Sequence, residues 1–93
     1  MLKLVISPAA AATIRHLPPS LKRGVKQAIR ALAADPNCGE PLQRELAKYR
    51  KFKVRRFRIV YATDRGRRTV RIVAVGPRST IYEEIAARLR GRS

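Results

Sequence analysis

Residues 51–61 read KFKVRRFRIVY and place five cations, Lys51, Lys53, Arg55, Arg56 and Arg58, among eleven residues. The pattern repeats every two residues: Phe52 and Val54 share one face, and Lys51, Lys53 and Arg55 share the other. After Arg55-Arg56 it resumes, with Phe57, Ile59 and Tyr61 on one side and Arg58 on the opposite one. These are two strands with an apolar face to bury and a cationic face held together against its own repulsion. The flanking sequence must supply the cover.

On the C-terminal side, Asp64-Arg65-Gly66-Arg67 reads as a hairpin turn into a third strand, Thr69 to Val75, which Gly76-Pro77 stops. Thr80 followed by Glu83 is a capping-box pattern, and Ile81, Ile85 and Leu89 then give a short amphipathic helix. The tail from Arg88 to Ser93 is basic and is expected to fray. On the N-terminal side, Leu2 to Ile6 is a short apolar strand, and Ser7-Pro8 opens an alanine-rich helix through about His16. Pro18-Pro19 ends that helix, and Ser20 is positioned to cap a second. There Leu21, Val25, Ala28, Ile29 and Leu32 form one buried stripe, closed by Asp35-Pro36-Asn37.

The order β-α-α-β-β-β-α predicts an α+β fold. An antiparallel β-sheet carries an N-terminal helical hairpin on one face, together with a short C-terminal helix, and the cations lie on the uncovered face. Residues 1–93 make a single domain, which at this size buries roughly 60–65% of its unfolded surface. The expected core includes Ile29, Leu32, Phe52, Val54, Ile59 and Ile72. A hydrophobic content of 45% excludes wholesale disorder.

The chain has 22 Lys plus Arg against 6 Asp plus Glu, a net charge of +16, which calls for a polyanionic partner. Arginine outnumbers lysine, and its planar fork suits phosphate. Cys38 is alone, so no internal disulfide forms and a reducing cytoplasm is the expected setting. MLKLVIS has neither a signal-peptide pattern nor a membrane span. His16 reads as a helix-end surface residue. Phosphate-binding glycine loops and metal-ligand constellations are absent from the sequence, so neither metal nor cofactor is expected.

Cations and tyrosines still suffice for one reaction. RNA cleavage by its own 2′-hydroxyl needs orientation, a proton acceptor, and stabilisation of charge on phosphorus. Arginine supplies the stabilisation, and a lysine crowded by other cations releases its proton more readily than a free one. Arg50, Arg55, Arg56 and Arg71 are placed to grip RNA backbone, and gripping without catalysis is the simpler use of such a surface.

Taken in order, DPNCGEPLQREL (35–46), KFKVRRFRIVY (51–61) and VAVGPRSTIY (73–82) resemble the RelE-like toxins of bacterial type II toxin–antitoxin pairs. The resemblance implies a toxin that enters the ribosome and cleaves messenger RNA there without metal, inhibiting translation. It assigns active-site roles to Lys51, Lys53, Arg58, Arg78 and Tyr82. The arginines would stabilise the transition state, while the lysines and tyrosine orient substrate and share proton transfers. It further implies an acidic antitoxin partner. In place of the Gly-Asp that many relatives have between these strands, this chain has Arg55-Arg56. Arginine tolerates positive φ poorly, so a wider or bulged turn is expected. Two alternatives stay open: a ParE-like gyrase inhibitor of the same fold, and a non-catalytic RNA-binding domain.

Overall fold

The computed structural model of the chain describes residues 2–91. Its elements run β1 (Lys3–Ile6), α1 (Pro8–Arg15), α2 (Pro19–Ala34), β2 (Glu40–Pro41), β3 (Arg50–Val54), β4 (Phe57–Asp64), β5 (Thr69–Pro77) and α3 (Ile81–Arg90), with a 3-10 turn at Arg44–Leu46. The fold is α+β, and its main elements follow the expected order. The two-residue β2 and the 3-10 turn are additions, too short for periodicity to reveal. Of the basic tail expected to fray, Arg88–Arg90 instead form the last turn of α3, because Leu89 packs against the second core cluster, while residues 92 and 93 lie outside the described residues.

The strands form one sheet in the order β1-β5-β4-β3-β2. It is antiparallel except at one edge, where β1 runs parallel to β5 with Lys3 beside Thr69 and Ile6 beside Ile72. The sheet is therefore mixed. β1 takes this direction because α1 starts at its end and is anchored there. Ser7 donates its backbone N–H to the Ile72 carbonyl and its hydroxyl to the Val73 carbonyl, while its Oγ accepts from the Ala10 N–H as the helix cap. The Val73 carbonyl belongs to a β-bulge: Val60 pairs with Ala74 but Tyr61 pairs with Ile72, leaving Val73 as the extra residue.

Two helix caps differ from expectation. Pro18, with no side-chain hydrogen bond, takes the cap position of α2, so Ser20 lies inside the first turn. Thr80 stands at the cap of α3 but likewise makes no side-chain capping bond.

The helical hairpin buries its stripe on one sheet face. Ala10, Ile14, Val25, Ala28, Ile29 and Leu32 meet Ile59, Tyr61, Val70, Ile72 and Val75 in one core cluster. Burying a side chain such as Leu32 is worth about 1.5–3 kcal/mol. Phe52 and Val54 pack against this cluster but stay half-buried, because β3 is flanked outside only by the two residues of β2. The other face is not left open. α3 folds over its middle, and Ile81 and Ile85 join Val60, Ala74, Leu46 and Tyr49 in a second cluster. The face expected to be uncovered is half-covered, because the apolar residues of α3 have Val60 and Ala74 to bury against.

A buried tie holds the loop between α2 and β2. The Tyr61 hydroxyl accepts from the Gly39 N–H at 3.0 Å and donates to the Pro36 carbonyl at 2.7 Å. Burial raises the pKa of this phenol above its ordinary value, an effect partly opposed by the Gly39 hydrogen bond. The folded state thus favours protonated tyrosine. Its contribution is whole below the ordinary tyrosine pKa of about 10 and is lost as pH rises toward the folded value. Tyr61→Phe should destabilise the protein by about 1–3 kcal/mol at neutral pH, since it strands the buried Gly39 N–H and the part-buried Pro36 carbonyl. In urea denaturation the gap between wild type and variant should narrow above pH about 10; a gap constant across that range would refute the assignment.

Candidate functional site

The site begins at the turn between β3 and β4. Val54 pairs with Phe57, so Arg55-Arg56 form a two-residue hairpin, and Lys53 stands directly opposite Arg58. The turn is not widened. Arg55 instead adopts φ of 55°, a left-handed conformation that disfavours a non-glycine residue by roughly 1–2 kcal/mol. The carbonyl of Arg55 receives a hydrogen bond from Arg58 Nη1 at 3.0 Å, and the Phe57 carbonyl receives a second from the same nitrogen at 2.9 Å. Arg58 is only 6% exposed. It lies on the cationic face, as alternation requires, but is sunk into it and held from below by backbone.

A row runs across the sheet from Lys53 through Arg58 to Gly76. Gly76 has a steric task there, because a Cβ would stand 2.8 Å from Ile81 Cδ1. Its absence lets α3 settle beside Arg58. The next row holds Lys51, Val60 and Ala74. Lys51 Nζ lies 5.7 Å from the centre of the Tyr82 ring, within cation–π range. The Tyr82 hydroxyl is buried without a hydrogen-bond partner, an unusual state for a phenol. Arg78, exposed, is drawn to the same end by its backbone N–H, which donates to the Arg56 carbonyl at 2.8 Å.

Glu40 is an addition that strand alternation gave no means of finding. On β2 it pairs with Lys51, and its Oε2 lies 3.9 Å from Lys51 Nζ. The pair is partly exposed, so its contribution to stability is small. It does set a carboxylate beside a lysine. A hollow of about 190 Å³ opens here, lined by Cys38, Gly39, Glu40, Lys51, Phe52 and Lys53. The Cys38 thiol is exposed, and partial desolvation followed by the nearby Asp35 charge pushes its pKa up.

The remaining RNA-binding candidates separate. Arg55 and Arg56 are exposed at the turn, beside the row. Arg50 pairs with Tyr61, on the face of the helical hairpin, and its Nη1 donates to the Gly39 carbonyl at 2.7 Å, so it braces a loop. Arg71 shares the cationic face but sits opposite Ala62, toward the far end of β4. There it borders two grooves of about 850 and 840 Å³, the second lined by Tyr49, Val73, Ile85 and Leu89.

The row can therefore take a phosphate against Arg58, with lysines, a carboxylate and an unpartnered phenol around it. Comparison with known proteins adds a family. A sequence model of the ParE toxin of the type II toxin–antitoxin system parDE matches residues 4–82. No curated protein matches by sequence. Among solved structures, the toxin–antitoxin complex RelBE2 of Mycobacterium tuberculosis is similar at 29% identity over 83% of this chain and 91% of that one, with a TM-score of 0.74. The isolated RelE toxin of E. coli shares the fold at 22% identity over 96% and 99% of the two chains, TM-score 0.72. A YoeB/ParE toxin from Agrobacterium tumefaciens does so at 19% identity over 82% and 98%, TM-score 0.70.

Proposed function

Because the chain belongs to the ParE toxin family of type II toxin–antitoxin systems, within the RelE/ParE superfamily, we propose that it is a ribosome-dependent endoribonuclease that cleaves messenger RNA without metal. The observation that carries this reading is the pairing of Lys53 with a buried, backbone-held Arg58, one row from Lys51 and Tyr82. A surface that merely grips RNA has no need to bury an arginine and fix it with two carbonyls. A transition-state stabiliser does, because preorganisation is what makes such a charge effective.

In this mechanism Arg58 and Arg78 hold the scissile phosphate and offset the charge that develops on it. The 2′-oxygen attacks phosphorus and the 5′-oxygen leaves, so that a 2′,3′-cyclic phosphate and a 5′-hydroxyl result. Lys51 and Lys53 orient the strand. Proton transfers fall to the lysines, to the Glu40 carboxylate beside Lys51, and to the Tyr82 phenol, whose hydroxyl has no competing partner.

The RelBE2 complex of M. tuberculosis and the RelBE complex of E. coli contain antitoxins. By analogy this chain pairs with an antitoxin, and a charge of +16 favours an acidic one.

A second reading, inhibition of gyrase, is favoured by the matched family itself, whose description is a ParE toxin. One experiment separates the two. The protein is expressed without its antitoxin and new RNA 5′ ends are mapped, while gyrase supercoiling is measured with purified protein. Cuts confined to translated frames, lost when ribosomes are omitted and insensitive to chelator, are expected. Intact RNA with blocked supercoiling would reverse the assignment.

A further inference from the structure

Residues 1–34 contain no aspartate or glutamate; all 6 acids of the chain lie from Asp35 onward. The helical hairpin built from this stretch packs on the sheet face opposite the Lys53–Arg58 row. Its outward side carries Lys22, Arg23, Lys26 and Arg30, which fall within an arc of about 100° on α2. Arg23, Lys26 and Arg30 are exposed and Lys22 is half-buried. Lys22, Lys26 and Arg30 follow one another at four-residue steps, so each cation stands about 6 Å along the helix from the next.

This arrangement works against the helix that carries it. Like charges four residues apart destabilise a helix, and cations in the first turns oppose the macrodipole. No acid in the first turn offsets either effect. Among the described residues the ion pairs are Lys51–Glu40 and Arg67–Asp64, and α2 takes part in neither. The repulsion is relieved only by an anion from outside.

We propose that the outward face of α2 is a second binding surface, for the sugar–phosphate backbone of RNA, so that the protein holds one RNA segment there while the Lys53–Arg58 row takes another. The inference rests on the proposed nuclease reading only for the identity of the RNA on the sheet side. A protein partner fits α2 poorly, because an interface core needs apolar anchors. Besides its cations α2 exposes Pro19, Ser20, Gln27, Ala31 and Ala34, none of them a large apolar anchor. Among the described residues the exposed large apolar ones, Val5 and Ile6, lie on β1, and the groove lined by Tyr49, Val73, Ile85 and Leu89 lies beside α3.

The test neutralises the face as Lys22→Gln, Arg23→Gln, Lys26→Gln and Arg30→Gln together. An equal-charge control neutralises Lys48, Arg65, Arg67 and Arg68, all exposed elsewhere. Binding of the full-length chain to a short RNA duplex and to purified ribosomes is measured across a salt series. The α2 variant should lose at least about tenfold in affinity, with a salt slope shallower by about three, while the control changes by much less. Lys22→Arg with Lys26→Arg should bind like wild type. At saturating ribosomes the cleavage rate of the α2 variant should match wild type, whereas Arg58→Ala should bind normally and cleave roughly 10²–10³-fold more slowly. Equal losses in the control and the α2 variant would overturn the proposal, reducing it to net charge. Loss of antitoxin binding with RNA binding intact would overturn it in favour of a protein contact. If wild type does not cleave, the nuclease reading fails, yet the duplex measurement still decides the role of α2.

Discussion

Replacing Arg58 by alanine is expected to lower cleavage of translated RNA by roughly 10²–10³-fold, the usual scale for removing one electrostatic stabiliser of a transition state. The size of the effect follows from the way the side chain is held. Arg58 is 6% exposed, and its Nη1 is fixed by the carbonyls of Arg55 and Phe57. Little reorganisation remains when charge develops on the phosphate. Arg58→Lys keeps the charge but replaces a planar fork with a single ammonium, so it should recover only part of the lost rate. Both variants leave part-buried carbonyls short of a donor, and some loss of thermal stability accompanies the loss of activity. Ribosome affinity separates the two effects: it should stay close to wild type, because many other cations contribute to it. Cleavage at the wild-type rate by folded Arg58→Ala would remove Arg58 from the chemistry.

Gly39→Ala should be the most damaging single-methyl change in the protein. A Cβ at this position would overlap the Tyr61 hydroxyl and stand 2.6 Å from the backbone carbonyl oxygen of Lys51. No glycine among the described residues has positive φ, so the objection to alanine is one of space and not of conformation. Neither neighbour yields easily, since Tyr61 is fully buried and the Lys51 carbonyl belongs to β3. Overpacking together with loss of the Gly39–Tyr61 hydrogen bond should cost about 3 kcal/mol. For a domain of this length that lowers Tm by roughly 12–24 °C, readable by calorimetry. The same displacement would carry β2 and Glu40 away from Lys51, so cleavage should fall even below the melting temperature. An unchanged Tm would show that the loop gives way freely.

The two variants mark the limits of what could be read before folding. The turn at Arg55-Arg56 shows this most clearly. Two arginines argue for a loose connection, yet the hairpin closes in two residues with Arg55 at φ of 55°. Local preference lost to the combined pairing of Val54 with Phe57 and Lys53 with Arg58, and to the hydrogen bonds that the turn carbonyls make with Arg58. The parts played by Gly39, Glu40 and the Tyr61 hydroxyl were silent for a different reason. Their partners are backbone groups and a two-residue strand, which leave no periodic signature.

Alternation along residues 51–61 determined by itself that Lys51, Lys53 and Arg58 share a face, because side chains on a strand point to opposite sides in turn. The spacing of Val25, Ile29 and Leu32, by four and then three residues, likewise settled which side of α2 is buried. The order of residues alone puts every acid after residue 34. Tertiary structure alone decided that β1 runs parallel to β5, that α3 closes over half of the cationic face, that Arg58 is buried, and that Glu40 stands beside Lys51. Periodicity reports the side to which a residue points but carries no information about what meets it. Those meetings join residues such as Ser7 and Val73, 66 positions apart, and are chosen by the apolar surface and backbone hydrogen bonds that the whole chain can bury at once.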